Sequence, residues 1–213
     1  MKRLIGGVVV AGLASLGWAG EVILDVDAGG LKGSATLVNQ LLPNGSKYVR
    51  LGMLLEDASG KSVSVLQEST YDKTGRPVRL LQRTNLKGGS ALQSVVVTFD
   101  DSGANFKVDQ GGKTLNDTIK YPAGKSVLAT PEFWFIRDVV NPGGVKSYWR
   151  FDMAKQNWAE IKCEYHGKRD LKWGGKTVNA HLVTMGEGRA YLDDAGDPYV
   201  VETGNGKMVR RAK

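Results

Sequence analysis

Cysteine, histidine and proline are scarce in this chain, at one, two and six residues of 213. The lone Cys163 excludes an intramolecular disulfide, so packing must carry the stability without a covalent staple. Two histidines and one cysteine give little material for a transition-metal centre, and neither a metal nor a cofactor is expected. No HExxH, GxSxG, P-loop or dinucleotide fingerprint occurs. A long apolar run is missing too. The stretch Leu4 to Leu16 falls short of the roughly 20 residues a spanning helix needs, and no later segment approaches that length. Basic residues are not interleaved with aromatics in a patch, so nucleic acid is not an expected partner.

What is there begins with an export signal. Lys2 and Arg3 precede the short apolar stretch, and Gly17-Trp18-Ala19 puts small residues where a signal peptidase reads, which predicts cleavage after Ala19. The cleavage site has no cysteine, which disfavours a lipid anchor. Residues 1–19 therefore read as a signal peptide, and the mature chain as exported, to the periplasm or the cell surface. Removing Lys2 and Arg3 lowers the formal charge from +7 to +5, a modest excess. Residues 20–206 read as a single domain, large enough to bury a core. Residues 207–213 read as a basic tail, whose Lys207, Arg210, Arg211 and Lys213 offer a contact to an anionic surface.

Glycine is abundant, at 28 residues, and punctuates the chain at short intervals. Between these breaks the apolar residues recur with a period near two. Val49, Leu51, Met53 and Leu55 share one face of "KYVRLGMLL". In "NWAEIKCEYH", Ala159, Ile161, Cys163 and Tyr165 face one way, and Trp158, Glu160, Lys162, Glu164 and His166 the other. Many short strands of this kind predict a mainly β fold, an antiparallel meander. Four segments share an Asp-to-Gly pattern, around Asp57, Asp72, Asp100 and Asp193. Each supplies too few spaced carboxylates for calcium, so they read as hairpin turns in which Asp bonds its own backbone and Gly takes the positive φ.

One stretch departs from the period of two. "TPEFWFIRDVVNPGG" has Thr130 as an N-cap, Pro131 at the first helical position and Asn141-Pro142-Gly143-Gly144 as a stop, which predicts a helix of about ten residues. Phe133, Trp134, Phe135 and Ile136 make it apolar around much of its circumference. Such a helix either plugs a concave sheet or lines an apolar cavity.

Catalytic constellations are weak. Cys163 and His166 are three apart on one strand, hence on opposite faces, which argues against a thiolate dyad. His181 could approach Cys163 from a neighbouring strand. Glu160 and Glu164 share a face, as a hydrolase pair would, but Lys162 lies between them and a solvated face explains them as well. No catalytic residue is expected.

The order of signal peptide, meander, "PEFWFIRD", Pro-Gly turn and a late hairpin over Leu192-Asp193-Asp194-Ala195-Gly196-Asp197-Pro198 resembles exported bacterial half-barrel domains of the lipoprotein-carrier type and related envelope proteins of unknown function. The resemblance covers roughly residues 45 to 203. It implies a curved antiparallel sheet, a half-barrel, with apolar-ligand handling, and it transfers no catalytic residue. The resulting expectation is a mainly β half-barrel with one short helix on its concave face. Its function would be non-catalytic binding of an apolar, lipid-like ligand or an envelope partner protein. The lining residues would be Phe133, Trp134, Phe135, Ile136, Trp149, Phe151 and Trp158. A structural assembly module, and less so a carboxylate hydrolase, are the alternatives.

Overall fold

The period of two becomes strand after strand in the computed structural model, which describes residues 20–86, 91–123 and 142–212. The strands are β1 (Gly20–Ala28), β2 (Leu31–Leu41), β3 (Lys47–Glu56), β4 (Ser62–Tyr71), β5 (Pro77–Leu86), β6 (Ala91–Asp100), β7 (Gly103–Gln110) and β8 (Lys113–Ile119). After them come β9 (Gly144–Asp152), β10 (Asn157–Trp173), β11 (Lys176–Met185), β12 (Gly188–Leu192), β13 (Pro198–Thr203) and β14 (Gly206–Arg210). All belong to one 14-stranded sheet, and every pairing is antiparallel. The order runs from β8 back to β1, then from β14 back to β9. The first and last strands, β1 and β14, therefore meet in the middle, and β8 and β9 lie at the two ends.

The expectation of a sheet with one short helix on its concave face is corrected here. Among the described residues the chain is all strand, with no helix. Residues 130–140, on which the helix was expected, lie outside the described residues.

Alternation sets which face is core. Val49, Leu51, Met53 and Leu55 of β3 are all buried, as their spacing predicts. They belong to a larger core built from β1–β3, Tyr71 of β4 and one face of β10–β14, including Leu24, Leu37, Cys163, Tyr165, Val183, Leu192 and Met208. A second core joins Leu80, Val95, Val97, Phe106 and Val108 of β5–β7 to Phe151 of β9 and Trp158 of β10. Strand register links the two. Val49, Ser69, Leu80, Val97 and Phe106 sit directly opposite one another across β3–β7, so both cores lie on the same side of that half of the sheet.

The β9–β10 hairpin differs. Tyr148 pairs with Ile161 on its first face, with Cys163 and Tyr165 beyond. Phe151 pairs with Trp158 on its second face. The first face enters the larger core and the second enters the other. The sheet therefore rolls past simple closure, and the β9–β10 end tucks into the curl, its second face covered around Phe151 and Trp158 and open at Glu160 and Lys162. Trp158, which alternation puts with Glu160 and Lys162, is on their face and yet only 9% exposed for this reason.

Turn chemistry makes the tight reversals. Asp57, Asp72 and Asp193 each start the same five-residue turn. The Asp carboxylate accepts the amide hydrogens two and four residues on, and Gly60, Gly75 and Gly196 take φ near +80 to +88°. The Asp100 segment is a different, tighter turn, with Asp100 directly opposite Gly103. The four similar segments are thus three turns of one kind and one of another.

Candidate functional site

Three of the expected lining residues come together. Trp149, Phe151 and Trp158 share the second face of the β9–β10 hairpin. Phe151 meets Phe106 at 5.8 Å between ring centroids, Phe99 at 6.4 Å and Trp158 at 5.6 Å, the last two edge-on. Trp158 also meets Phe99 at 5.9 Å and Tyr121 at 5.3 Å, and its indole N–H reaches the Ile119 carbonyl at 3.4 Å. These rings form a seam where the β9–β10 end of the sheet packs against the β6–β8 end. Among the described residues β8 pairs only with β7 and β9 only with β10, so rings rather than a strand ladder hold the seam. Phe133, Trp134, Phe135 and Ile136 lie outside the described residues.

A second cluster has no local signal in the sequence. The Tyr165 hydroxyl lies 2.8 Å from His181 Nδ1, and His181 Nε2 lies 3.0 Å from Asp194 Oδ1. The Lys168 ammonium reaches the same oxygen at 2.6 Å. An ionised Asp194 can only accept, so His181 donates from Nε2, and in the neutral ring Nδ1 is left to accept from Tyr165. The Lys168 hydrogen bond holds the Asp194 carboxyl below the ordinary aspartate range, against the opposing effect of burial and with help from His181. The same bond raises Lys168.

A β-bulge between Tyr165 and Lys168 sets this geometry. It contains Gly167 at φ +81°, whose missing side chain leaves room for the Pro142 ring. Cys163 does not meet His181; it pairs across to Met185. His166 instead contacts Thr184 Oγ1 at 3.0 Å and Glu164 at 3.4 Å.

A carboxylate–imidazole–hydroxyl chain is the arrangement that activates a nucleophile in many hydrolases. Here its terminal oxygen belongs to a phenol whose residue is 7% exposed and packed in the larger core. The chain ties β10, β11 and the β12–β13 turn together. Glu160, the other carboxylate considered for hydrolysis, is exposed on the face it shares with Lys162 and Glu164. Among the described residues no group of three or more His, Cys, Asp or Glu could hold a metal ion, and no helix is long and apolar enough to cross a membrane. An apolar dent among Val183, Met185, Ala190 and Val201 measures about 20 Å³, room for a water but not for an organic ligand.

The expected basic tail is largely strand, since β14 runs to Arg210 and pairs with β1 and β13. Its cations are engaged. Lys207 pairs with Glu202 at 3.1 Å, Arg210 with Asp193 at 2.8 Å and Arg211 with Asp25 at 2.7 Å. Arg210 also stacks 4.3 Å from the Tyr199 ring centroid. Lys213 lies outside the described residues.

No family model matches the chain, and no curated protein matches it in sequence. Among solved structures it is similar to a β-barrel-like protein of the domain of unknown function DUF1849 from Brucella abortus. Identity is 12%, the TM-score is 0.53, and the match covers 89% of this chain and 93% of that one. The likeness shows a β-barrel-like fold.

Proposed function

We propose that this chain is an exported, non-catalytic binding protein of the cell envelope, in the periplasm or at the cell surface, and that its ligand is apolar and lipid-like. The observation that carries the reading is the aromatic seam. Phe99, Phe106, Tyr121, Phe151 and Trp158 join two ends of one sheet through ring contacts. Ring contacts of this kind contribute about 0.5–1.5 kcal/mol each beyond area burial, and an acyl chain can replace them in kind. Parting such a seam exposes apolar surface that the ligand covers again, whereas parting a strand ladder leaves backbone groups unpaired. The barrel-like architecture and the resemblance to the lipoprotein-carrier type point the same way. The burial of Tyr165 in the larger core supports a non-catalytic role.

Titration of the purified protein with a fluorescent fatty acid tests this. Saturable energy transfer from tryptophan, weakened by Trp158→Phe, is the expected result. Transfer that never saturates, or that ignores Trp158→Phe, refutes it.

A second reading has its own observation. Residues 113–118 of β8 are all exposed, and among the described residues β8 has a strand neighbour on one side only. An envelope partner protein could add a strand at that edge, as an assembly module would require. Photo-crosslinking from Leu115, which is half exposed, would identify such a partner. Crosslinks absent there in intact cells would remove this reading.

A further inference from the structure

Strand β10 runs on past its neighbours. β9 stops opposite Tyr165 and β12 stops opposite His181. From Arg169 to Ala180, β10 and β11 pair only with each other among the described residues, closing through Gly174 and Gly175 at φ +57° and +76°. A two-stranded ribbon alone is marginal in water, and this one is tethered. The Lys168–Asp194 and His181–Asp194 contacts fix its base. Near its tip, the Trp173 indole donates to the Arg210 carbonyl at 2.7 Å and the ring packs on Tyr199 at 4.9 Å.

The arm is cationic in a way the tail is not. Arg169, Lys172 and Lys176 are exposed, and no carboxylate lies within ion-pair distance of any of them among the described residues. Their contacts are the Lys168 carbonyl, the Thr177 hydroxyl and the Trp173 ring. Asp170, the arm's own acid, is hydrogen-bonded to Asn179. Arg169 and Lys176 share one face of the ribbon with Trp173, and Lys172 is on the other.

We propose that this arm docks the protein on an anionic lipid surface. The proposal rests on the envelope reading above for its setting. Cations on both faces of a ribbon that outruns its strand neighbours suit a broad sheet of charge better than a shaped acidic pocket. A half-buried Trp with Lys on its ring is the pairing favoured at membrane–water boundaries. The anionic contact expected from the basic tail thus moves to residues 169–176, because the tail's described cations already have carboxylate partners.

The test is co-sedimentation of the chain from Gly20 onward with phosphatidylglycerol–phosphatidylcholine vesicles and with phosphatidylcholine alone. Binding should need the anionic lipid and should weaken steeply with salt. The triple variant R169Q/K172Q/K176Q should bind about 100-fold more weakly, from roughly a fivefold effect per cation near such a surface. A matched triple, K61Q/K113Q/K155Q, removes the same charge elsewhere and should bind as the parent does. Thermal midpoints equal to the parent's establish that both variants fold.

Equal loss in the two triples overturns the proposal in favour of net charge. Equal binding to both vesicle types, no binding to either, or no effect of the arm triple also overturns it. Arm-dependent binding to polyglutamate without vesicle binding overturns it in favour of an acidic protein partner. Energy transfer from an acyl probe reports the seam and sedimentation reports the arm, so either can fail alone.

Discussion

Replacing Phe151 with alanine probes the rolled sheet at its least expected contact. Phe151 is 3% exposed, and its ring touches Phe99, Phe106 and Trp158. Removing a buried Phe side chain forfeits about 2–3 kcal/mol of transfer free energy. The unfilled volume between two packed sheet ends adds to this, which brings the cost to about 3–5 kcal/mol. That is a large fraction of the 5–15 kcal/mol typical of a whole domain. With a urea slope of about 2–3 kcal/mol/M, the unfolding midpoint should fall by roughly 1–2.5 M. Leu54→Ala serves as the comparison. Leu54 lies on the opposite side of β3 from the core and is 60% exposed, so its loss should stay within about 0.5 kcal/mol. If Phe151→Ala costs no more than Leu54→Ala, the second face of the β9–β10 hairpin is not core, and the rolled arrangement is wrong.

The bulge, the polar tie and the turns give three more tests. Gly167→Ala places a Cβ 2.9 Å from the Pro142 ring at a φ of +81°, and should cost about 2 kcal/mol, or roughly 4–8 °C in Tm by calorimetry. His181→Leu leaves the buried Tyr165 hydroxyl without its acceptor and should cost about 1–3 kcal/mol. The double variant with Tyr165→Phe should cost less than the two singles together, and strict additivity in the cycle would show that the tie contributes nothing. Hydrogen bonds from Ser59 and Ser102 hold the Asp57 and Asp100 carboxyls below the usual range. Their stabilisation is complete above the unfolded value near about 3.9, and is lost as pH falls through the lower folded value. Thermal midpoints followed by circular dichroism should therefore drop as the pH falls below about 4, and D57N/D100N should flatten that drop while keeping the turns.

Local signals survived into the structure, and long-range ones were out of reach. Alternation in β3 named its four core residues, and the Asp-to-Gly pattern located the turns, because both depend on neighbours within a few positions. The fate of Trp158 did not follow from alternation, since its end of the strand is covered on the second face only after the sheet has rolled. Tyr165, His181 and Asp194 are far apart in the chain, and their meeting depends on a bulge whose only trace is Gly167. The basic tail read as free charge because Glu202, Asp193 and Asp25 reach it only through strand pairing. The unusual length of β10 was the one available hint of the arm, since its alternation starts before Trp158 and polar, strand-compatible sequence continues to Trp173.

The envelope-binding reading faces its most direct test in mass spectrometry of the protein purified from native envelopes under non-denaturing conditions. A lipid released on denaturation, at about one per chain and depleted in Trp158→Phe, is the predicted result. Protein that arrives free of lipid, with its intact mass unchanged by denaturation, would contradict it.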